Sequence, residues 1–368
     1  MAGSYADFKK TDAFIATGGW TFGHLSYELL HPLYKLKSEK PDHIAFPKFH
    51  FFRPAVVIYI VDSTLTIEAE NPQVVYNEIG AWGFEKVAAA APHIPLQQRF
   101  TKQAYIQCVQ QLQQHILRGD CYEINFCQEF FAHQASLDPV QVFQNLMALS
   151  PNPFSALYKI NNTYLICASP ERFLVKKGQK VTAQPIKGTA KRSPGVAEDA
   201  TLQNALRSSA KDQAENVMIV DLMRNDLSKV CEPGTVQVDE LFGLYSFPQV
   251  HQLISTISGT LRKETSFTEI MEALFPMGSM TGAPKQRVQE LIEQYEPTAR
   301  GIFSGSVGFI SPDGNFDFNV VIRSIMYNEA AQYLSYQVGS GITFYSDAAQ
   351  EWEECLLKAS AIKKVLTG

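Results

Sequence analysis

The sequence contains no apolar run that approaches the ~18 residues needed to cross a membrane, so we expect no membrane association. Its N-terminus lacks the charged and apolar regions of a signal peptide. The six cysteines are scattered and form no C-x-x-C pair, which argues against a zinc site and against a disulfide framework. Together these absences favour a reduced, cytoplasmic location.

An excess of positive charge is also missing. Lysine and arginine number 32 against 37 acidic residues, and the net charge of -5 predicts no nucleic-acid partner. A small anionic substrate is still compatible with this balance, because a few local cations and backbone amides can bind it inside an acidic protein. Neither G-x-G-x-x-G nor a Walker sequence occurs, so a nucleotide cofactor is not indicated.

The strand-like segments of the 368 residues come in adjacent groups and are not each followed by a helix. This pattern favours an α+β fold with antiparallel sheets over a doubly wound one. Residues 1–98 are expected to form a β-rich N-terminal region that packs on the core, ending in a linker over 92–98. Residues 99–368 are expected to form the main domain.

Several elements are predicted individually from their patterns. Residues 56–61 are expected to form a buried strand paired with 63–68. A turn at Gly178-Gln179 is expected to join two strands into a hairpin. We expect continuous helices over residues 102–117, 139–149, 199–221 and 346–366. We expect continuous strands over residues 122–132, 252–261 and 317–327.

Two predicted helices carry acidic residues three apart: Asp212 with Glu215, and Glu351 with Glu354. Residues at i and i+3 share a helical face, so each helix can direct two carboxylates the same way. Converging carboxylates would require a cation, and Mg²⁺ prefers such oxygen ligands. The alternative is that both pairs are ordinary solvated helix surface.

A second group surrounds Lys187. Pro185 cannot continue a central ladder, and Gly188 allows close backbone approach. The predicted hairpin would bring Glu171 near Lys187. A confined lysine can act as a nucleophile, and a buried glutamate can act as an acid. The alternative is a lysine exposed in a surface loop.

Six stretches resemble the chorismate-utilising enzymes, a family that includes anthranilate synthase, aminodeoxychorismate synthase, isochorismate synthase and salicylate synthase. They keep the family's order from about Phe100 to the end. These stretches are S-P-E-R-F at Ser169, P-I-K-G-T at Pro185, A-E-N-V-M-I-V-D-L-M-R-N-D-L from Ala214, V-H-Q-L-I-S-T-I-S-G from Val250, M-T-G-A-P-K from Met280, and E-x-x-E-x-x-x-K at Glu351. The resemblance implies sheets packed face to face with helices outside, and chorismate as the substrate of domain 99–368.

The resemblance also implies roles for single residues. Glu215 and Glu354 would be direct Mg²⁺ ligands, with Asp212 and Glu351 as supporting acids; the family usually has Glu where Asp212 stands. The substrate would be held by further matched positions: Arg323, Lys358, the amides around Gly339 and Gly341, and His251, Thr281, Gly188 and Thr189.

Lys187 points to one branch of the family. Anthranilate synthases typically read P-I-A-G-T here, whereas aminodeoxychorismate synthases read P-I-K-G-T and are held to use the lysine as a covalent nucleophile. The implied reaction has Lys187 attack C2 of chorismate while Glu171 protonates the leaving C4 oxygen. Anthranilate synthase component I is the alternative reading, and a non-catalytic homologue is a third.

Two absences complete the prediction. Water-adding members carry a base lysine within the stretch 122–128, and this chain has none there; Glu123 stands where glutamine is more usual. No cysteine lies in the G-x-C-x-G context of a glutaminase. We therefore expect ammonia to come from a separate glutamine amidotransferase subunit.

Overall fold

The computed structural model describes residues 1–83, 93–248 and 250–368. Its helices are α1 (Tyr5–Phe8), α2 (Thr11–Ala16), α3 (Pro72–Ala81), α4 (Lys102–Leu117), α5 (Pro139–Leu149), α6 (Val196–Ser208), α7 (Ala210–Ser228), α8 (Phe267–Leu274), α9 (Lys285–Tyr295), α10 (Ala348–Lys358) and α11 (Ser360–Thr367). Short 3₁₀ segments lie at Tyr27–Tyr34 and Gly278–Met280.

The strands are β1 (Thr21–Leu25), β2 (Phe49–Phe52), β3 (Val57–Val61), β4 (Thr64–Glu68), β5 (Gln97–Gln98), β6 (Glu123–Ala132), β7 (Phe154–Ile160), β8 (Thr163–Ser169), β9 (Arg172–Lys177), β10 (Lys180–Gln184), β11 (Ile186–Lys191), β12 (Gln237–Ser246), β13 (Val250–Thr260), β14 (Gly282–Ala283), β15 (Ser306–Ile310), β16 (Phe316–Asn319), β17 (Ser324–Asn328) and β18 (Tyr333–Ile342).

These strands form two large sheets in the part of the chain that the structure describes. The first has the order β11-β13-β10-β9-β16-β15-β1-β2, with β12 also paired to β13. The second has the order β14-β6-β18-β17-β8-β7, with β5 also paired to β6. The pairings along both sheets are antiparallel, which confirms the predicted α+β class.

Strand β6 shows how the two sheets meet. All ten of its residues are buried, because successive side chains point to opposite covered faces. Cys127 and Phe131 belong to the core that also contains Phe318 of the first sheet. Phe126 and Phe130 belong to a second core, which includes residues of α4, α5, α9, α10 and α11. The sheets therefore pack face to face, with helices covering the outer face of the second.

The predicted hairpin and two helices are confirmed. Strands β9 and β10 pair antiparallel across the Gly178 turn. The observed α4 and α5 have the predicted bounds 102–117 and 139–149. Thr101 caps α4 by accepting a hydrogen bond from the Ala104 amide, and Asp138 caps α5 in the same way.

Three predicted continuous elements are instead broken in the structure. The stretch 199–221 is divided between α6 and α7 at Ser209, whose side chain accepts a hydrogen bond from the Asp212 amide and so starts a new helix. The stretch 317–327 divides into β16 and β17, which belong to different sheets. The stretch 346–366 divides into α10 and α11 at Ala359. Apolar residues lie on both sides of each break, so their presence does not reveal it.

The N-terminal residues contribute to the first sheet, since β1 pairs with both β2 and β15. The predicted pair β3–β4 is present, but its predicted burial is wrong: Ile60 is 72% exposed, and the two strands form a small separate sheet. Of the predicted linker, Pro92 lies outside the described residues. Ile94 is buried and donates its amide to Leu366 O, so this segment is bound to the core. The boundary between 98 and 99 stays a prediction.

Among the described residues, no helix combines the length and the apolar character that a membrane crossing requires.

Arg300 joins elements on which the site depends. It is 3% exposed and bonds to Glu296, to Met280 O and to Asn125 O.

We expect Arg300→Met to lower the free energy of unfolding by about 3–5 kcal/mol, because Glu296 would be left as an unpaired buried charge. Chemical denaturation should show the loss. The half-exposed Arg287, paired with Glu290, is the control, and Arg287→Met should cost less than about 1 kcal/mol. Equal losses in the two variants would contradict this account.

Candidate active site

Lys187 is placed by an irregularity in β11. Pro185 separates β10 from β11, and the pairing of β11 with β13 shifts register between Ile186 and Thr189. The shift takes Lys187 and Gly188 out of the regular ladder, so that the lysine side chain can leave the first sheet. Its side chain is 10% exposed, which excludes the alternative of a surface lysine.

Lys187 crosses to the second sheet and pairs with Glu123, the first residue of β6. The Nζ atom donates to Glu123 Oε1 at 2.5 Å, and the Glu123 side chain is 1% exposed. Burial alone would lower the pKa of Lys187. The opposing charges of Glu123, Glu215 and Glu171 raise that pKa above its ordinary value, so the resting lysine is an ammonium ion.

Gly341 on β18 makes room for this pair. A Cβ atom at position 341 would lie 2.6 Å from Glu123 Oε1 and 3.1 Å from Lys187 Nζ. Any side chain at this position would therefore displace the contact between the lysine and the carboxylate. This explains in physical terms why the site needs glycine on the neighbouring strand.

Glu171 lies between β8 and β9 and is 4% exposed. Burial raises its pKa to about 7, against the opposing effects of Ser279 and Lys187. The expected proximity of Glu171 and Lys187 is confirmed, because the charge of each shifts the pKa of the other. A carboxyl group with a pKa near neutrality can hold a proton and donate it.

The acidic pairs on α7 and α10 converge on one place. Lys211 links the two helices, with its Nζ atom 2.9 Å from Glu351 Oε1 and 3.8 Å from Glu215 Oε1. Burial, with the charges of Glu123 and Glu351, raises the pKa of Glu215 to about 7 against the opposing charges of Lys187 and Lys211. Glu215 and Glu351 are therefore not the solvated surface residues of the alternative interpretation, whereas the Glu354 side chain is 41% exposed.

The donor atoms suit a hard cation. Glu215 Oε1 and Glu351 Oε2 are buried and have no hydrogen-bond partner among the described residues. Nowhere in these residues do three or more histidine, cysteine or acidic side chains form a preassembled metal cluster. Mg²⁺ does not require one, because it is commonly bound through one or two carboxylates and completes its octahedron with waters and substrate oxygens. The residues present fit Mg²⁺ in that mode.

A cationic end faces this acidic end. Lys358 Nζ bonds to Glu354 Oε1 at 2.6 Å and to Gly339 O at 2.9 Å. Burial opposes the ionisation of Glu354, but Lys358 lowers its pKa below the usual value. Arg323 donates to Lys358 O at 3.3 Å and adopts the left-handed φ of 53°, which is uncommon outside glycine. Strained backbone of this kind clusters at functional sites.

The amides of Gly339 and Gly341 point toward this cationic end. Their partners across the ladder are Cys127 and Asn125. The amide nitrogens of those two residues bond elsewhere, to Glu296 Oε1 and to Thr281 O. In an antiparallel ladder these are consequently non-hydrogen-bonded pairs, so the glycine amides point away from β6. These amides are therefore not used in the β6 ladder, and their role toward a substrate carboxylate stays a prediction.

Of the other residues predicted to bind substrate, His251 and Thr281 already use their polar atoms in hydrogen bonds within the protein. Both ring nitrogens of His251 already have partners, Asp199 Oδ1 at 3.0 Å and Ser246 Oγ at 2.8 Å. The Thr281 hydroxyl donates to Met277 O at 3.1 Å, and Thr189 is exposed on β11. Their roles toward a substrate stay predictions.

Gly188 packs against Asp212 at a positive φ of 92°. A Cβ atom there would approach Asp212 Cβ to 3.1 Å, so glycine is needed for both conformation and space. Asp212 therefore lies against the backbone next to Lys187, which links the acidic helix α7 to the lysine strand.

The sequence analysis does not identify one residue of the site, Lys211, and one contact, that between Glu123 and Lys187. Lys211 lies four residues before Glu215, a spacing at which opposite charges on a helix meet, and this signal was available. The contact between Glu123 and Lys187 joins residues 64 positions apart on different sheets, so no local pattern could predict it.

A family model described as chorismate binding enzyme matches residues 3–364. The chain belongs to this family. The family resemblance drawn from the motifs is confirmed, and the protein is a chorismate-utilising enzyme.

Similar proteins of the family carry different activities in their names. An anthranilate synthase component I-like protein of Synechocystis is 34% identical over 361 residues, or 95% of this chain and 73% of that protein. Aminodeoxychorismate synthase component 1 of Escherichia coli is 38% identical over 270 residues, or 73% of this chain and 59% of that protein. Anthranilate synthase component 1 of Saccharolobus solfataricus is 32% identical over 368 residues, or 100% of this chain and 85% of that protein.

A solved structure with a similar fold is anthranilate synthase component I from Streptococcus pneumoniae. It superposes with a TM-score of 0.84 over 95% of this chain and 81% of that chain, at 24% sequence identity. This likeness supports the fold alone. Similarity therefore establishes the chorismate-binding family, while the choice between its reactions depends on the residues of the site.

Proposed function

We propose that this protein aminates chorismate at C4 to give 4-amino-4-deoxychorismate, with Mg²⁺ as cofactor and ammonia supplied by a separate glutamine amidotransferase. The observation that carries the proposal is the placement of Lys187, which reaches from β11 to Glu123 on β6 and lies close enough to Glu171 and Glu215 for their charges to raise its pKa. The product is a precursor of p-aminobenzoate and folate, so this assignment would place the protein in folate synthesis.

The two ends of the site correspond to the charges of the substrate. Chorismate carries two carboxylates. One would be held by the cationic end, where Arg323, Lys358 and the amides of Gly339 and Gly341 come together. Arginine suits this task because its planar fork matches a carboxylate.

The other carboxylate would reach the acidic end. Glu215 and Glu354 would hold Mg²⁺, with Glu351 and Asp212 beside them. When bound, Mg²⁺ supplies Lewis-acid polarisation and neutralises one substrate charge. Lys211 pairs with Glu351 and Glu215 in the absence of the ion, which offsets part of the repulsion between these two carboxylates.

Two side chains would perform the covalent steps. Lys187 Nζ attacks C2 while the C4–O bond breaks, and Glu171 donates its proton to the departing oxygen. Ammonia then forms the C4–N bond as the bond between Nζ and C2 breaks. An alanine in place of Lys187 would leave no nucleophile for the first displacement, which is why the lysine favours this reaction over anthranilate formation.

Anthranilate synthesis is the second candidate, favoured by the match to anthranilate synthase component 1 over the whole chain. The two reactions are distinguished by incubating purified protein with chorismate, Mg²⁺ and ammonium, then separating the products by chromatography and mass. We expect the amino product with its pyruvyl group retained. Anthranilate with free pyruvate would overturn the proposal in favour of the second candidate.

The proposed acid predicts a pH dependence. Glu171 must be protonated to donate, so kcat/KM should fall as the pH rises through its pKa of about 7. Saturating Mg²⁺ and a constant concentration of free ammonia keep other ionisations out of the profile. Glu171→Gln should remove the alkaline fall and lower the rate by about 10²–10⁴-fold. Glu198→Gln, at an exposed glutamate, should change neither. An alkaline fall that persists in Glu171→Gln would exclude Glu171 as the acid.

A further inference from the structure

Glu123 has a carboxylate whose two oxygens are in different situations. Its Oε1 atom contacts Lys187 Nζ at 2.5 Å, and no other carboxylate of the described residues forms an ion pair with this lysine. Its Oε2 atom is buried without a hydrogen-bond partner in the part of the chain that the structure describes. The carboxylate therefore has one strong partner, the Lys187 ammonium, and a second oxygen that no other group occupies.

The backbone encloses the pair. The backbone at Gly341 lies against both partners, since a Cβ there would lie 2.6 Å from Glu123 Oε1 and 3.1 Å from Lys187 Nζ. The lysine ammonium and the carboxylate therefore face each other directly. A proton can move between them without passing through solvent.

Charged groups from several elements surround the pair. Glu171 approaches Lys187 from the start of β9 and Glu215 approaches it from α7, and the charges of both favour the ammonium form. Lys358 on α10 carries the opposite charge near Glu171. The resting state is therefore an ammonium paired with a carboxylate.

An ammonium ion cannot be a nucleophile, because its nitrogen has no free electron pair. Glu171 cannot accept the proton, since in the proposed reaction it must give one to the leaving oxygen. Glu215 is assigned to the metal. Glu123 is the remaining carboxylate next to Lys187, and the only one in contact with its Nζ among the described residues.

We propose that Glu123 is the base that activates Lys187, accepting one proton from Nζ as the lysine attacks the substrate. This inference rests on the proposed function. It also gives a role to the one residue of the Y-E-x-N motif that departs from the usual glutamine.

Each proton and electron pair has a defined donor and acceptor in the proposed reaction. A proton moves from Nζ to Glu123 Oε1, the freed electron pair forms the Nζ–C2 bond, and the C4–O bond breaks. The proton of Glu171 converts the departing hydroxyl to water. Ammonia then forms the C4–N bond, and the electron pair of the Nζ–C2 bond returns to Nζ. Glu123 returns its proton to Lys187, and the new C4 ammonium returns one to Glu171.

The test compares kcat/KM of Glu123→Gln with that of the wild type from about pH 6 to about pH 9. In the wild type the proton moves from Lys187 to Glu123, so the two residues together neither gain nor lose a proton. The wild type therefore needs no alkaline pH to generate its nucleophile. The variant has no acceptor and depends on free lysine. Its rate relative to wild type should rise about tenfold per pH unit until the lysine is deprotonated. The effect of Glu171 is common to both and cancels in the ratio.

At neutral pH we expect the variant to be about 10- to 100-fold slower. This lies at or below the low end of the usual ~10²–10⁴-fold for a general base, because burial also lowers the pKa of an unpaired lysine. The KM for chorismate should change little, since Glu123 does not hold the substrate. A ratio that is constant with pH, or a variant as fast as wild type at neutral pH, would overturn the inference.

Glu129→Gln is the matched control. Glu129 lies on the same strand β6 and is also buried, but it pairs with Arg99. Six residues of strand separate it from Glu123, or about 20 Å. The ratio of kcat/KM for Glu129→Gln to kcat/KM for the wild type should be independent of pH. The product of the wild type is identified first, so that anthranilate formation would count against the proposed function, whereas a constant ratio with the amino product would count against Glu123 alone.

Discussion

Replacing Lys187 with alanine should lower the rate of chorismate amination by a factor on the order of 10³, within the range that loss of a catalytic group commonly costs. The reason is that no other amine of the site is assigned to the first displacement. Chorismate affinity should stay within about threefold of wild type, because the substrate carboxylates are assigned to Arg323, Lys358 and Mg²⁺. Product formation under saturating ammonia and Mg²⁺ measures the first effect, and equilibrium binding measures the second.

Lys191→Ala is the matched control, since Lys191 is an exposed lysine at the end of the same strand β11. It should retain the wild-type rate. An unchanged rate in Lys187→Ala would mean that ammonia attacks chorismate directly, and the covalent route would have to be abandoned. A lysine that acted only by binding substrate would instead raise KM and leave kcat unaltered.

Replacing Glu215 with glutamine should raise the Mg²⁺ concentration required for half-maximal activity by about 10- to 100-fold or more, a loss typical of even the indirect partners of a metal. The change removes the charge of a carboxylate whose Oε1 atom has no hydrogen-bond partner among the described residues. A Mg²⁺ titration of the initial rate, at fixed chorismate, measures this shift.

Glu353→Gln provides the comparison for this variant. Glu353 neighbours Glu354 on α10, but its side chain is 60% exposed and pairs with Lys102 outside the pocket. Its Mg²⁺ dependence should equal that of the wild type. If both variants show wild-type titrations, Glu215 is not a ligand, and the unpartnered oxygens of the acidic end require another explanation.

The sequence predicts features that depend on local periodicity. The spacing of Asp212 and Glu215, and of Glu351 and Glu354, places each pair on one helix face without knowledge of the fold. The turn at Gly178 predicts the β9–β10 hairpin for a similar reason. These features require only neighbouring residues to interact, so a single sequence contains the information.

Features that depend on tertiary contacts could not be predicted. The pairing of Glu123 with Lys187 follows from the approach of two sheets, and the strain at Arg323 follows from the passage of the chain between them. Ile60 illustrates the same limit. A run of β-branched residues predicts a strand, but it does not predict whether another part of the protein buries that strand, and Ile60 is exposed. Apolar residues likewise occur on both sides of the breaks at Ser209 and Ala359, so composition alone does not locate them.

The sequence and the structure lead to different protonation states for Lys187. A buried lysine is expected to lose its proton, which would suit a nucleophile directly. Here the surrounding acids outweigh burial and keep the proton on the lysine. The site must therefore contain a means of removing it, and the partner placed against Nζ is Glu123.

The covalent role of Lys187 is tested most directly by trapping. Protein with Mg²⁺ and chorismate, but without ammonia, would be quenched in acid, digested and analysed by mass spectrometry. The account predicts that the peptide containing Lys187 gains the mass of chorismate less one water, and that added ammonia removes this adduct while the amino product forms. An unmodified Lys187 peptide, in protein that still aminates chorismate when ammonia is present, would contradict it.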